Sequence, residues 1–196
     1  MSNSTIELLL GRRSVKPDKL GDPAPSSEEL ETILKIASRI PDHKKLTPWR
    51  FVVIRGKARE LLGSKIEDIC RKEDKIAPSD VRLEFERGRF QRAPLVIAVV
   101  SCIREGGGAP EWEQILSAGA ACMNITIASN ALGYRTCWIT EWMAYSESFS
   151  KIFGLAPNEK IAGFIYIGTA KEKPSDRERP KISDIVSYWE DSPSSS

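Results

Sequence analysis

Three short stretches bring together groups that can hold an anion or a flat heterocycle. Arg12-Arg13-Ser14 sets two guanidiniums and a hydroxyl side by side. Such groups grip a phosphate through charge-assisted, partly bidentate hydrogen bonds. The same residues follow a first predicted helix, where cations complement the helix dipole whatever the function. Residues 39–51, RIPDHKKLTPWRF, gather Arg39, His43, Lys44, Lys45 and Arg50 around two prolines and Trp49. The prolines stiffen the backbone, which suits a loop that must hold a ligand in one geometry. The plainer alternative makes Trp49 a core anchor, the lysines solvated turn residues and His43 structural. Residues 133–141, GYRTCWITE, read as a glycine turn, a strand and a polar end. Backbone amides at such an end can meet the edge of a heterocycle, although a plain buried strand is an equal reading.

The surrounding pattern predicts the elements that must position these groups. Ser4 and Glu7 have capping-box spacing, with a short helix through Leu8–Leu10 that Gly11 can close in the left-handed conformation. Ser26 and Glu29 repeat the signature. Leu30, Ile33, Leu34 and Ala37 then fall on one helical face, and Pro41 stops the run. Residues 57–72 read as a helix and 80–91 as a heavily charged one. Residues 51–55, 95–101, 135–140 and 161–168 read as strands, the second unbroken apolar and so covered on both faces. Residues 111–132 form a helix that is small and apolar nearly all round, as expected for a buried one. A shorter helix over 147–153 ends at Gly154, and Gly106-Gly107-Gly108 reads as a plain flexible loop. The expected architecture is a single α+β domain over residues 1–186 with a flexible tail over 187–196. No strand precedes Gly-x-Gly-x-x-Gly, which argues against a dinucleotide-binding Rossmann fold.

Composition narrows the classes further. The chain has 196 residues, 29 Lys plus Arg against 27 Asp plus Glu, and a net charge of +2. That balance implies no basic face for nucleic-acid phosphates. Mixed-sign runs such as residues 71–75 read as solvated surface. Four cysteines without a Cys-x-x-Cys pair and a single histidine argue against a structural zinc site, and no metal is expected. Cys122 and Cys137 sit in apolar surroundings, as small core residues do. Neither a signal-peptide plan nor a long apolar run is seen, so the expected location is cytoplasmic, with no membrane partner.

Order and combination say more than any one stretch. The opening LLGRRSVK, then RIPDHKKLTPWRFVVI, APLVIAVV, WEQILSAGAACMNITIASNALGYRTCW and GFIYIGTAKEKPSDRERPKISDIV together resemble the nitroreductase family from about residue 5 to residue 186. The Asp-His-Lys form followed by Pro-Trp-Arg-Phe is similar to the small YdjA-like bacterial subgroup. The resemblance implies a nitroreductase-like α+β fold: a central, mostly antiparallel sheet, flanking helices, a buried central helix and a homodimer with the flavin at the subunit interface.

Position by position, the resemblance implies that Arg12, Arg13 and Ser14 hold the phosphate and ribityl end of FMN. Arg39 and His43 would reach the flavin from the partner subunit. Trp138, Ile139 and Thr140 would run beside the ring through backbone groups. Gly168 and Thr169 would close the site, and Arg179, helped by Arg177, would complete the phosphate cradle. The implied chemistry is ping-pong transfer from NADH or NADPH through flavin N5 to a small acceptor such as a nitroaromatic or quinone, with no catalytic side chain required. Lys45 and Thr47 stand where many members have Asn and Gln, and Ile139 stands where the subgroup has arginine. A flavin-binding or regulatory protein with little turnover is the rival reading. Dehalogenation or ring fragmentation would need a lid insertion that is not seen.

Overall fold

In the computed structural model, residues 4–74, 76–172 and 174–189 are described. The strongest apolar run becomes β3 (Leu95–Cys102), all eight residues buried. Side chains alternate across a strand. Leu95, Ile97 and Val99 therefore face one apolar cluster, and Val96, Ala98, Val100 and Cys102 face a second. β3 pairs antiparallel with β2 (Trp49–Arg55) on one edge and with β5 (Glu159–Ala170) on the other. β5 also pairs antiparallel with β4 (Arg135–Ile139) and with the two-residue β1 (Leu20–Gly21). The expected sheet is thus present, with β1 as a fifth strand that two residues of sequence could not announce.

Six α-helices flank it: α1 (Ser4–Gly11), α2 (Ser27–Ala37), α3 (Lys57–Glu73), α4 (Asp80–Gly88), α5 (Glu111–Ala131) and α6 (Glu147–Phe153). The Ser26–Glu29 capping box forms with both reciprocal hydrogen bonds. Gly154 caps α6 at φ 74°. The first helix differs in detail. Ser4 is its first helical residue rather than a flanking cap, and Gly11 is its last residue, outside the positive-φ set.

α2 and α5 cover one face of the sheet, where Ile33, Ala37, Ala118, Ala121, Cys122 and Ile125 meet Ile165 and Ile167 of β5. The opposite face carries α3, α6 and an aromatic group in which Phe90 and Phe149 pack edge-on against Phe164 at 5.3 and 6.0 Å. The smaller residues of α5 make that close approach to the sheet possible.

Three expectations need correction. α5 is not covered all round: its sheet-facing side is buried, but Trp112, Ile115 and Leu116 are exposed and Ala120, Met123 and Ile127 half-exposed. The predicted helix over 80–91 breaks at Gly88, and Arg89–Arg92 continue as a 3-10 turn. Its charges are not a solvated face, since Glu86 and Arg89 are buried. The triple glycine is not a plain loop: at Gly107 a Cβ would meet Leu46 at 2.7 Å, so the two loops pack together. The end of the expected tail, residues 190–196, lies outside the described residues. Among those described, no helix is long and apolar enough to cross a membrane.

Arg50, read as part of a basic cluster, is engaged structurally instead. Its Nε and one terminal nitrogen each donate to Glu159 at 2.7 Å, clamping β2 to the start of β5. Cys102 adds a third hydrogen bond to that carboxylate. The Arg50 hydrogen bonds hold Glu159 down to about 2 from its ordinary 4.5. A lowered folded-state value means the stabilisation is complete above about pH 4.5 and is lost as pH falls toward 2. Glu159→Gln is therefore expected to lower stability at pH 7 by about 2 kcal/mol. Thermal melts across pH 2–7 should also show a shallower acid loss for the variant than for the wild type.

Candidate functional site

Four arginines converge at one end of β4. Val15 N–H donates to Thr136 O at 3.0 Å, and Ser14 bridges Thr136 in parallel, so the Arg12-Arg13-Ser14 tripeptide runs beside the strand. Burial, and then repulsion from Arg179, Arg13 and Arg177, push the Arg12 guanidinium below its ordinary value. Like charges brought this close without enough carboxylates lack a counter-anion. The nearest is exposed Asp176, 3.8 Å from both Arg13 and Arg179, while Arg13 also donates to Ser175 O. Arg13 and Ser14 line an open cleft of about 350 Å³ together with Lys16, Lys19, Ser175 and one acid, Glu172, which lies 4.0 Å from Lys19. The chemistry of this donor set fits a phosphate. The structure thus gathers Arg12, Arg13, Ser14, Arg177 and Arg179, although more than 160 positions separate the two groups in sequence.

Further along β4 lie Trp138 and Ile139, with Thr140 directly after the strand. A bulge opposite Val99/Val100 leaves Ala162 unpaired in the β3–β5 register. A bulge re-aims the groups around it, and the indole Nε1 of Trp138 donates to Ala162 O at 3.2 Å. A Cβ at Gly163 would collide with the Trp138 indole, so glycine is required where the ring sits. Trp138 remains about 40% exposed, which leaves its other side open to a partner. The Thr140 hydroxyl accepts from Tyr145 at 3.2 Å. Gly168 and Thr169 sit where β1 crosses. A Cβ at Gly168 would meet Gly21 O at 2.8 Å, and the Thr169 hydroxyl donates to Pro23 O at 2.9 Å.

Beyond Thr140 is a charged network that sequence reading missed. Glu141 adopts φ 58°, ψ 176°, a region otherwise left to glycine that costs about 1–3 kcal/mol. Its carboxylate accepts from Arg89 at 2.6 Å and from Arg92 at 2.9 and 2.7 Å. Arg89 also bonds buried Glu86, which in turn accepts from Trp142 Nε1 at 3.0 Å. Burial opposes both arginine charges, yet their anionic and phenolic neighbours outweigh it and raise both guanidiniums. The only signal in sequence was the dense mixed charge over 84–92, EFERGRFQR, which looks the same for a solvated helix.

The second block sits elsewhere, against the first half of α5. His43 Nδ1 lies 2.6 Å from Glu113 Oε2, in a cleft of about 320 Å³ that also includes Pro41, Leu116 and Ser117. Arg39 is exposed, and its carbonyl accepts from Asn124 at 3.2 Å. Lys44, Lys45 and Thr47 all have left-handed φ, at 63°, 55° and 48°. Asp42 organises that turn by accepting from the Leu46 and Thr47 amides at 2.9 and 3.0 Å. Trp49 is buried, so the core-anchor alternative holds for it.

An arginine cluster beside the start of β4 and free amides just past its end, on a mostly antiparallel sheet, define an α+β protein with a phosphate-fitting donor set along one strand. Residues 9–169 match the family described as "Nitroreductase family". The chain is 38% identical over 172 residues to the Escherichia coli protein named "Putative NAD(P)H nitroreductase YdjA", covering 87% of this chain and 90% of that one. Its fold matches a nitroreductase-like family protein from Bacillus cereus at TM-score 0.83 and 22% identity, over 97% of this chain and 98% of the other. A Desulfovibrio desulfuricans structure titled as a "putative nitroreductase in complex with fmn" matches at TM-score 0.70 and 22% identity, over 95% and 96% of the two chains. The chain belongs to the nitroreductase family and is an oxidoreductase.

The Trp138 seat is testable by itself. Gly163→Ala should expel the indole, cost about 1–3 kcal/mol and change the tryptophan fluorescence while leaving far-ultraviolet circular dichroism intact. Trp138→Phe supplies the reference: in that background, Gly163→Ala should produce little fluorescence change.

Proposed function

We propose that this chain is an FMN-dependent oxidoreductase that takes electrons from NADH or NADPH, reduces a small acceptor such as a nitroaromatic or quinone, and works as a homodimer in the cytoplasm. The observation that carries the reading is the cluster of four arginines with only exposed Asp176 among them, Arg12 being pushed down by burial and then by Arg179, Arg13 and Arg177. The NAD(P)H nitroreductase name of the Escherichia coli relative and the FMN complex in the Desulfovibrio title support the same cofactor and reductant. When bound, FMN supplies the redox chemistry, accepting a hydride at N5 and passing electrons on by a ping-pong route.

The chain's own residues bind and orient. Arg12, Arg13, Arg177 and Arg179 neutralise the phosphate, and Ser14 adds a hydroxyl. Trp138, Ile139 and Thr140 lie along the ring edge. Gly168 and Thr169 act at one remove, seating the 20–23 segment. Residues 1–186 form the working domain, with 187–196 as a tail. The four cysteines are free, which suits a reducing compartment.

The uncovered side of α5 supports the dimer reading. Trp112, Ile115 and Leu116 are exposed there, and His43 lines a cleft with Leu116 and Ala120. Covering this face with a second copy buries those side chains and brings Arg39 and His43 to the partner's flavin, where cations stabilise an anionic reduced ring. Leu116→Glu is expected to give a monomer by size-exclusion chromatography that retains less FMN than the wild type.

The function is tested by the absorbance spectrum of the purified protein, before and after anaerobic addition of NADH or NADPH. A yellow protein that bleaches supports the proposal. A yellow protein that does not bleach favours the low-turnover flavin binder, and a colourless one that cannot be reconstituted with FMN overturns both. Arg12→Ala should weaken FMN retention at least tenfold, as the loss of a charge-assisted phosphate contact implies.

A further inference from the structure

We propose that Glu141, clamped by Arg89 and Arg92, is a positioning residue that fixes how the end of β4 presents its backbone amides to the flavin ring. The inference rests on reading β4 as the ring-side strand. Three observations carry it.

The first is conformational. At φ 58° and ψ 176° Glu141 occupies backbone space in which glycine is the ordinary choice. Glutamate has no reason to be there unless its side chain is needed.

The second is the clamp. Both carboxylate oxygens of Glu141 are engaged by guanidiniums at 2.6–2.9 Å. Each arginine is anchored in turn: Arg89 to buried Glu86, and Arg92 to the hydroxyl of buried Tyr166 on β5 at 3.2 Å. Arg82 also pairs with Glu86 at 2.8 Å. The end of β4 is thereby tied to the 86–92 segment and to the central strand. Buried ion networks of this kind serve geometric specificity better than they serve net stability.

The third is what the clamp leaves free. Neither the Thr140 nor the Glu141 amide donates to another backbone group among the described residues. These two donors stand directly after the strand that carries Trp138 and Ile139. The φ torsion of Glu141 sets its own N–H plane relative to the clamped side chain, so the direction of that amide depends on the clamp.

The test compares Glu141→Ala, Glu141→Gly and wild type by FMN fluorescence-quenching titration, the visible spectrum of bound FMN and thermal melting. Alanine removes the clamp and keeps the unfavourable torsion, while glycine removes the clamp and accepts the torsion. FMN affinity should fall by tenfold or more in Glu141→Ala and by less in Glu141→Gly, with a shifted flavin band in both. Should the alanine variant fail to fold, the glycine variant decides alone: reduced affinity with a shifted band is the expected result. Wild-type affinity and spectrum in Glu141→Gly would overturn the positioning role, whatever the melting temperature does. If wild type binds no FMN, the flavin reading itself falls. If wild type binds and the variants match it, only the clamp is refuted.

Discussion

The architecture depends on β5 being covered on both faces and paired along both edges. β3 takes one edge, and β4 and β1 complete its pairing, while the side chains of β5 divide between two apolar clusters. Backbone polar groups cannot be buried without partners, so the antiparallel ladders are the condition for burying this strand at all. Once β5 is fixed, β4 is fixed in register with it. β4 then carries the arginine tripeptide at Thr136 and the proposed ring-side trio from two residues later. One strand thus sets the relation between the two halves of the proposed flavin site.

Two sets of arginines show how charge is used differently in one fold. Arg89, buried, and Arg92, half-buried, stand beside carboxylates, and both guanidiniums are raised. Arg12 stands among other arginines and is pushed the opposite way. The first set can hold a backbone still because its charges are already satisfied. The second suits the proposed phosphate because its charges meet only exposed Asp176. Arg50 belongs with the first set, since Glu159 satisfies it and closes the β2 edge.

Asp42 and the left-handed turn after it extend the same logic to the second block. Three departures from ordinary torsion within four residues, at Lys44, Lys45 and Thr47, persist because the aspartate captures two amides at the turn. The side of α5 beside this turn is apolar and open, so the cationic block and the surface proposed for a second copy coincide.

Six helices and the four longer strands were legible in sequence, because hydrophobic period and capping signals are local. The arginine tripeptide, the 39–51 block and the Trp138 strand were legible too, as chemistry carried by adjacent residues, and the order of the blocks identified the family. Pairing was not. Sequence could not say that Arg50 belongs to Glu159, that Arg12 meets Arg179, or that Glu86 and Arg89 lie inside rather than in solvent. Nor could it place β1, whose two residues form a strand only because Ala170 and Thr169 are opposite. Glu141 is the sharpest case. Its residue type suggests a solvated acid, and only the approach of two arginines from another segment makes it a clamp. Local pattern decides what each element is. Long-range contact decides which charges are satisfied, and that determines what each charge can do.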